Sequence, residues 1–316
     1  MESKSGFLND LSSHQQEVLE IIKRFVFEEL NVTDRSRWNE WYILRFCRAR
    51  KFDVKKIQEM ISNYIKWMTN MKFDKVNELD ISRFDKFREL AGFGYYNTDR
   101  QGRPIYIDQV KFLKAKELFE AYQDEELMAF YIQSYDRLIH VIFPECSRVA
   151  KKRIEQTCTI MDLKDVNLFK MFTGKVKAFT NIARDIGQDY YPEILGNMYI
   201  INAGMLFSGI WQIIKLGVDA KTQAKISIIS GSGKKELEKA IDMANLPVSL
   251  GGTCTRDVRE DFGPWTEALE LSYKNKSIHH HDQTLIDEYF LSEKEKKERK
   301  EQKTQSNSTN RPFIEN

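Results

Sequence analysis

Cysteine is scarce: Cys47, Cys146, Cys158 and Cys254 are the only four in 316 residues, and none stands at the paired spacing of a zinc site or a redox dithiol. A disulfide scaffold is excluded, and the four read as reduced packing residues of a cytosolic protein. Histidine is equally thin. Outside the run His279-His280-His281, expected to be a solvated loop, only His14 and His140 remain, and neither has a nucleophile or a ligand set beside it. A surplus of one charge sign is also missing, with 49 Lys+Arg against 47 Asp+Glu, so a net charge of +2 gives no reason to expect a nucleic-acid partner. The opening Met1-Glu2-Ser3-Lys4-Ser5-Gly6 has no apolar core of a secretory signal, and no stretch reads as a clean membrane span. A soluble, cytoplasmic chain is expected.

Two motifs that would carry chemistry are incomplete. Ser230-Gly231-Ser232-Gly233-Lys234-Lys235 follows a strand and precedes a helix, where a phosphate loop belongs, but Ile228 and Lys235 stand where a Walker loop needs Gly and Ser or Thr. Cys146 has no preceding His and no cationic loop closing at the distance a thiol phosphatase needs. No catalytic residue, metal site or cofactor is expected, and the chain reads as a non-enzyme.

What is present is an uncharged stretch. Residues 194–214 carry no Asp, Glu, Lys or Arg in a chain that is 30% charged. Its 21 residues match a span in length, yet Asn197, Asn202, Gln212 and three glycines fall inside it, and such polar groups are costly in hydrocarbon. It divides better into a buried strand at Met198-Tyr199-Ile200-Ile201, a turn at Asn202-Ala203-Gly204, and a helix holding Met205, Phe207, Ile210, Trp211 and Ile214. That helix is apolar over more than one face. With Glu193 at one end and Lys215 and Lys225 beyond the other, it suggests the wall of a pocket for an amphiphile. A plain core strand and core helix is the blander alternative.

Periodicity supplies the rest of the architecture. The first 75 or so residues read as helical, from Val18-Leu19, Ile21-Ile22 and Phe25-Val26 through to Ile57, Met60-Ile61, Tyr64 and Trp67, with Asp53 placed as a cap. Short β-rich runs at 93–96 and 104–108 flank a hairpin connection, and helical spacing returns at 114–155. Strands at 157–163, 198–201 and 226–229 then alternate with helices around 176–183 and 237–243, so a mixed sheet is expected. After about residue 257 periodicity fades. The polar, charged end is expected to be disordered after about 292.

Five motifs occur together: Leu44-Arg45-Phe46-Cys47-Arg48-Ala49-Arg50-Lys51-Phe52-Asp53, Asp99-Arg100-Gln101-Gly102-Arg103-Pro104-Ile105-Tyr106, Thr159-Ile160-Met161-Asp162-Leu163, Tyr190-Tyr191-Pro192-Glu193 and Leu246-Pro247-Val248-Ser249-Leu250-Gly251-Gly252. With Gly263-Pro264-Trp265 they resemble the CRAL-TRIO family over residues 35–265, in its Sec-fourteen-like phosphatidylinositol and phosphatidylcholine transfer branch. The resemblance implies an α/β fold: a helical N-terminal lobe (1–75), a lipid-binding lobe (76–256) whose mixed sheet floors a hydrophobic pocket closed by a mobile helix, and a C-terminal extension (257–316). It implies an inositol headgroup site at Arg50, Lys51, Glu193, Thr222 and Lys225, and a choline headgroup site at Tyr95, Tyr106, Tyr135, Thr157 and Thr159. Met205, Phe207, Ile210, Trp211 and Ile214 become the gate and acyl pocket.

One departure matters: Gly217-Val218-Asp219-Ala220 replaces a family segment with a large apolar anchor and a Pro, which is expected to loosen the gate hinge. The expected function is phospholipid binding with transfer between, or presentation at, membranes that the chain touches transiently, as a monomer. Rival readings are a carrier for a sterol, tocopherol or retinoid, and a lipid-sensing module that regulates a lipid kinase or small GTPase.

Overall fold

The computed structural model describes residues 4–35, 37–71, 81–168 and 174–274. The expected lobe boundary near 75, the His279-His280-His281 run and the tail after 292 lie outside them. Three helices open the chain, each started by a side chain that accepts from an otherwise orphaned backbone N–H. Ser12 and Gln15 form a reciprocal capping box for α1 (Ser13–Arg24), Asn39 caps α2 (Glu40–Ala49), and Asp53 caps α3 (Val54–Asn70) as expected. Their apolar stripes meet in one core holding Leu19, Ile22, Phe46, Ile57, Ile61 and Tyr64, all fully buried.

Next come α4 (Ile81–Ala91), the antiparallel pair β1 (Phe93–Thr98) and β2 (Pro104–Gln109), then α5 (Ala115–Ala121), α6 (Asp124–Arg137) and α7 (Phe143–Ala150). β3 (Thr157–Asp162), α8 (Gly174–Asp189), β4 (Leu195–Ile201), α9 (Met205–Ile214), α10 (Ala220–Gln223), β5 (Ile226–Ile228), α11 (Lys234–Ala240) and α12 (Thr266–Lys274) follow. The strands form one mixed sheet in the order β1-β2-β3-β4-β5, parallel from β2 to β5. β4 starts three residues earlier than its apolar run, because Gly196 lets the strand approach Thr157 O more closely than a Cβ would allow.

The two faces of this sheet differ. Side chains alternate along a strand, and one face presents Ile105, Ile107, Cys158, Ile160 and Ile201 to Leu237, Ile241, Leu246, Leu250 and Val258, all buried. That face is sealed. The opposite face carries two registered rows, Tyr95–Tyr106–Thr159–Met198–Ile226 and Phe93–Asp108–Met161–Ile200–Ile228. There Tyr106, Asp108, Thr159, Met161 and Met198 stay part-accessible although they lie on the sheet's three central strands. This face therefore keeps accessible surface at the middle of the sheet, where its own side chains do not seal it.

Residues 257–274 are more ordered than their sequence suggests. Asp257 and Glu260 cap a short turn, and Val258, Trp265, Ala268 and Leu269 are buried before and within α12. Trp265, Ala268 and Leu269 stand at i, i+3 and i+4, a helical stripe too short to mark an element by itself. Asp261 fastens the segment to β1, accepting from Tyr95 N at 3.3 Å and pairing with Arg137 and Arg88.

Candidate functional site

One polar cluster lies at the starts of β4 and β5, a second on the open face, and an apolar helix over one end of that face. The first cluster centres on Glu193, held in the left-handed region at φ 61° just before β4. Its carboxylate lies 3.9 Å from Arg48 Nε, 3.6 Å from Lys221 Nζ and 4.0 Å from Lys225 Nζ, and is only 12% exposed. Behind it, Arg48 Nη2 donates to Glu155 Oε2 at 2.9 Å, and Arg45 Nη2 donates to Glu155 O at 2.7 Å. Arg45, Arg48, Lys221 and Lys225 face Glu155 and Glu193, and all but Lys221, which is 58% exposed, are largely buried. Burial pulls Lys225 below its ordinary pKa, and the Glu193 carboxylate opposes that shift. Its ammonium also donates to Leu195 O at 2.8 Å. An anion arriving here gains charge-assisted bonds in a partly dehydrated setting.

The expected inositol residues divide into two groups. Glu193 and Lys225 come together, and Thr222 sits on α10 beside Lys221, its carbonyl accepting from Lys225 N. Arg50 instead lines a cleft of about 460 Å³ with Asn63, Lys66, Trp67, Asp189 and Tyr190, where the Trp67 and Tyr190 rings stack at 3.9 Å. Lys51 is exposed in a left-handed turn after α2. Neither is in ion-pair contact with Glu193, because α2 ends before them. The cation of that motif on the inward face is Arg48, one turn from Arg45. Helical spacing alone pairs 45 with 48, so the signal was in the sequence.

The second cluster is the tyrosine and threonine row. Tyr95 and Tyr106 meet edge to face at 5.3 Å, Thr159 is in register with Tyr106, and Thr157 Oγ1 lies 3.3 Å from Thr159 Oγ1. Tyr135, from α6, stacks on Tyr191 at 4.9 Å. Tyr191 in turn bonds Asp136, which Arg37 grips with both Nη atoms. All five expected residues therefore belong to or border the open face. Burial holds Tyr106 and Tyr131 well above the ordinary phenol range and pushes Tyr135 up to about 12, so the rings act as neutral aromatic faces with O–H groups.

Over the β4–β5 end lies α9. At about 100° per residue, Ile210, Trp211 and Ile214 fall within about 60° of Phe207, while Met205 and Ile213 lie on the opposite side. The structure agrees: Phe207 is buried and Trp211 half-buried against Met161, Met198, Ile200, Ile226 and Ile228, with Ile210 and Ile214 also half-buried. Met205, by contrast, is 94% exposed and Ile213 73%. Met205 is therefore not a pocket residue as expected, since it sits about 160° round the helix from Phe207. With Leu206 and Leu216, it makes an apolar surface facing solvent. The hinge that follows is braced by Gln223, whose side-chain amide donates to Lys215 O and Val218 O, both at 2.8 Å. Asp219 caps α10. Among the described residues no helix is long and apolar enough to cross a membrane, and no group of His, Cys, Asp and Glu is placed to hold a metal ion.

Comparison with known proteins places this geometry. The Sec14 cytosolic factor of Schizosaccharomyces pombe is 34% identical over 268 residues, covering 83% of this chain and 91% of that protein. The phosphatidylinositol/phosphatidylcholine transfer protein SFH12 of Arabidopsis thaliana is 34% identical over 229 residues, 71% of this chain. This chain spans only 42% of that longer relative. The crystal structure of Sfh5 shares the fold at a TM-score of 0.58 and 16% identity, over 84% of this chain and 97% of that one. Residues 8–63 match the CRAL/TRIO N-terminal domain and residues 89–252 the CRAL/TRIO domain. With a helical lobe, a one-sided open sheet and matches across both segments, the chain belongs to the CRAL/TRIO family.

Proposed function

We propose that this chain binds one phospholipid, phosphatidylinositol and in alternation phosphatidylcholine, and carries it between membranes or presents it at one. The supporting observation is the contrast between the two sheet faces: one packed by its own side chains, the other part-open and covered at one end by α9. Acyl chains removed from water gain about 0.8 kcal/mol per methylene, which offsets their loss from a bilayer but does not choose a headgroup. Selection falls to the polar clusters. Glu193 accepts from inositol hydroxyls, and Arg48, Lys221 and Lys225 donate to the phosphodiester. The Tyr95–Tyr106–Thr159 row with Tyr135 and Thr157 receives a quaternary ammonium and its phosphate.

Exchange needs an opening, and α9 is the element to move. Its outward residues Met205, Leu206 and Ile213, with Leu216 in the turn that follows, enter the bilayer surface, and Lys215 and Lys221 add attraction to anionic headgroups. The chain is read as cytosolic, visiting membranes briefly, and the cycle is binding and release without a covalent step. Transfer of labelled phosphatidylinositol between vesicles tests this. Saturable, protein-dependent transfer is expected; its absence, with a sterol or retinoid as the extracted guest, contradicts the reading.

A further inference from the structure

We infer that Asp108 is a ligand-selecting residue whose carboxyl holds an ester carbonyl of the bound lipid, so that the cavity prefers diacyl to dialkyl phospholipids. This rests on the phospholipid reading above. Asp108 lies on β2, paired with Phe93 on one side and Met161 on the other, in the row that continues through Ile200 and Ile228. All four neighbours in that row are apolar. It is part-accessible on the open face of the sheet, although burial governs its carboxyl. Among the described residues its carboxyl makes no hydrogen bond and no ion pair, whereas carboxyls withdrawn from bulk water in folded proteins are nearly always satisfied.

A group that costs stability and serves no neighbour points to a partner that comes and goes. Burial pushes the Asp108 carboxyl up to about 7, and the ionisable groups felt nearby are the Tyr106 and Tyr131 phenols, which carry no charge near neutrality. The carboxyl is therefore a hydrogen-bond donor for much of the time, and it suits an acceptor on the ligand.

Position narrows the acceptor. Asp108 is two residues beyond Tyr106 on the same face, about 6.6 Å along the strand. The step leads away from the Thr157 and Thr159 hydroxyls and toward Met161, Ile200, Phe207 and Trp211. A phospholipid with its phosphate at those hydroxyls and its chains under α9 places its glycerol esters, a few single bonds below the phosphate, at this level. An ester carbonyl accepts from the Asp108 carboxyl; an ether oxygen, with no carbonyl, is a much poorer acceptor.

The test loads the full chain from vesicles holding equal amounts of diacyl and dialkyl forms of phosphatidylinositol and phosphatidylcholine, and reads the bound lipids by mass spectrometry. For whichever headgroup loads, wild type should favour the diacyl form roughly fivefold, one hydrogen bond's worth. Asp108→Asn should keep the preference, since an amide still donates, and Asp108→Leu should load both forms equally. Equal loading by wild type overturns the inference while leaving the phospholipid reading intact, and it does not depend on any variant folding. A preference retained in Asp108→Leu also overturns it. Loading of neither headgroup overturns both.

Discussion

Replacing Asp108 by Asn should stabilise the delipidated protein, and only where the pH is high enough for an aspartate to ionise. The folded carboxyl titrates at about 7 because burial disfavours its charged form, against an ordinary 3.8. Below 3.8 both states are protonated and the residue is neutral toward folding. Between 3.8 and about 7 the unfolded chain has released a proton that the folded chain keeps, so wild-type stability falls as pH rises, by about 1.4 kcal/mol per pH unit. Above 7 the full penalty is in place, about 4 kcal/mol on the same conversion. Asn cannot ionise and escapes it. Denaturant midpoints of wild type and Asp108→Asn, measured from pH 4 to 8, should separate progressively and then run parallel, with the variant ahead by some 8 °C in thermal scans at pH 8. A gap of constant size across that range would mean that Asp108 is solvated or paired, and the role inferred for its carboxyl would lose its electrostatic support.

Lys225→Ala should lower phosphatidylinositol transfer roughly tenfold or more, the worth of a charge-assisted hydrogen bond, and leave phosphatidylcholine transfer near wild type; equal loss of both would count against the headgroup assignment. Ile213→Glu places a charge on the outward side of α9 and should weaken vesicle association and transfer with a nearly unchanged melting temperature, because Ile213 is 73% exposed. Gln223→Ala removes both hydrogen bonds that brace the turn after α9, so amide exchange at 215–218 should accelerate by about a factor of ten or more; unaltered exchange would show that α10 holds the hinge by other means.

Much of this fold could be read before its structure was seen, because periodicity reports which side of an element is buried. The α1 and α3 stripes, the β1–β2 hairpin and the division of residues 194–214 into strand, turn and helix all follow from that rule. Periodicity does not report what a buried side meets. Arg48 reaches Glu155 across 107 residues of sequence, so its part in the Glu193 cluster depends on how two lobes pack, and Arg50 and Lys51, only two and three residues on, point elsewhere. Asp108 reads as an ordinary polar strand end until the register sets it among Phe93, Met161 and Ile200. Around Val258 and Trp265 the sequence showed the Gly263-Pro264-Trp265 motif but not the packing, because Asp261 ties the segment to β1 and to Arg88 and Arg137 far away in the chain. Gln223 bonds to Lys215 O and Val218 O on either side of Gly217, a contact that its residue type gives no hint of.

The most direct measurement is to purify the chain from a cell, extract it with organic solvent and identify by mass spectrometry what it held. One phospholipid per protein, with phosphatidylinositol among the species recovered, is the expected result. A protein that yields no lipid and cannot be loaded with any would contradict the account.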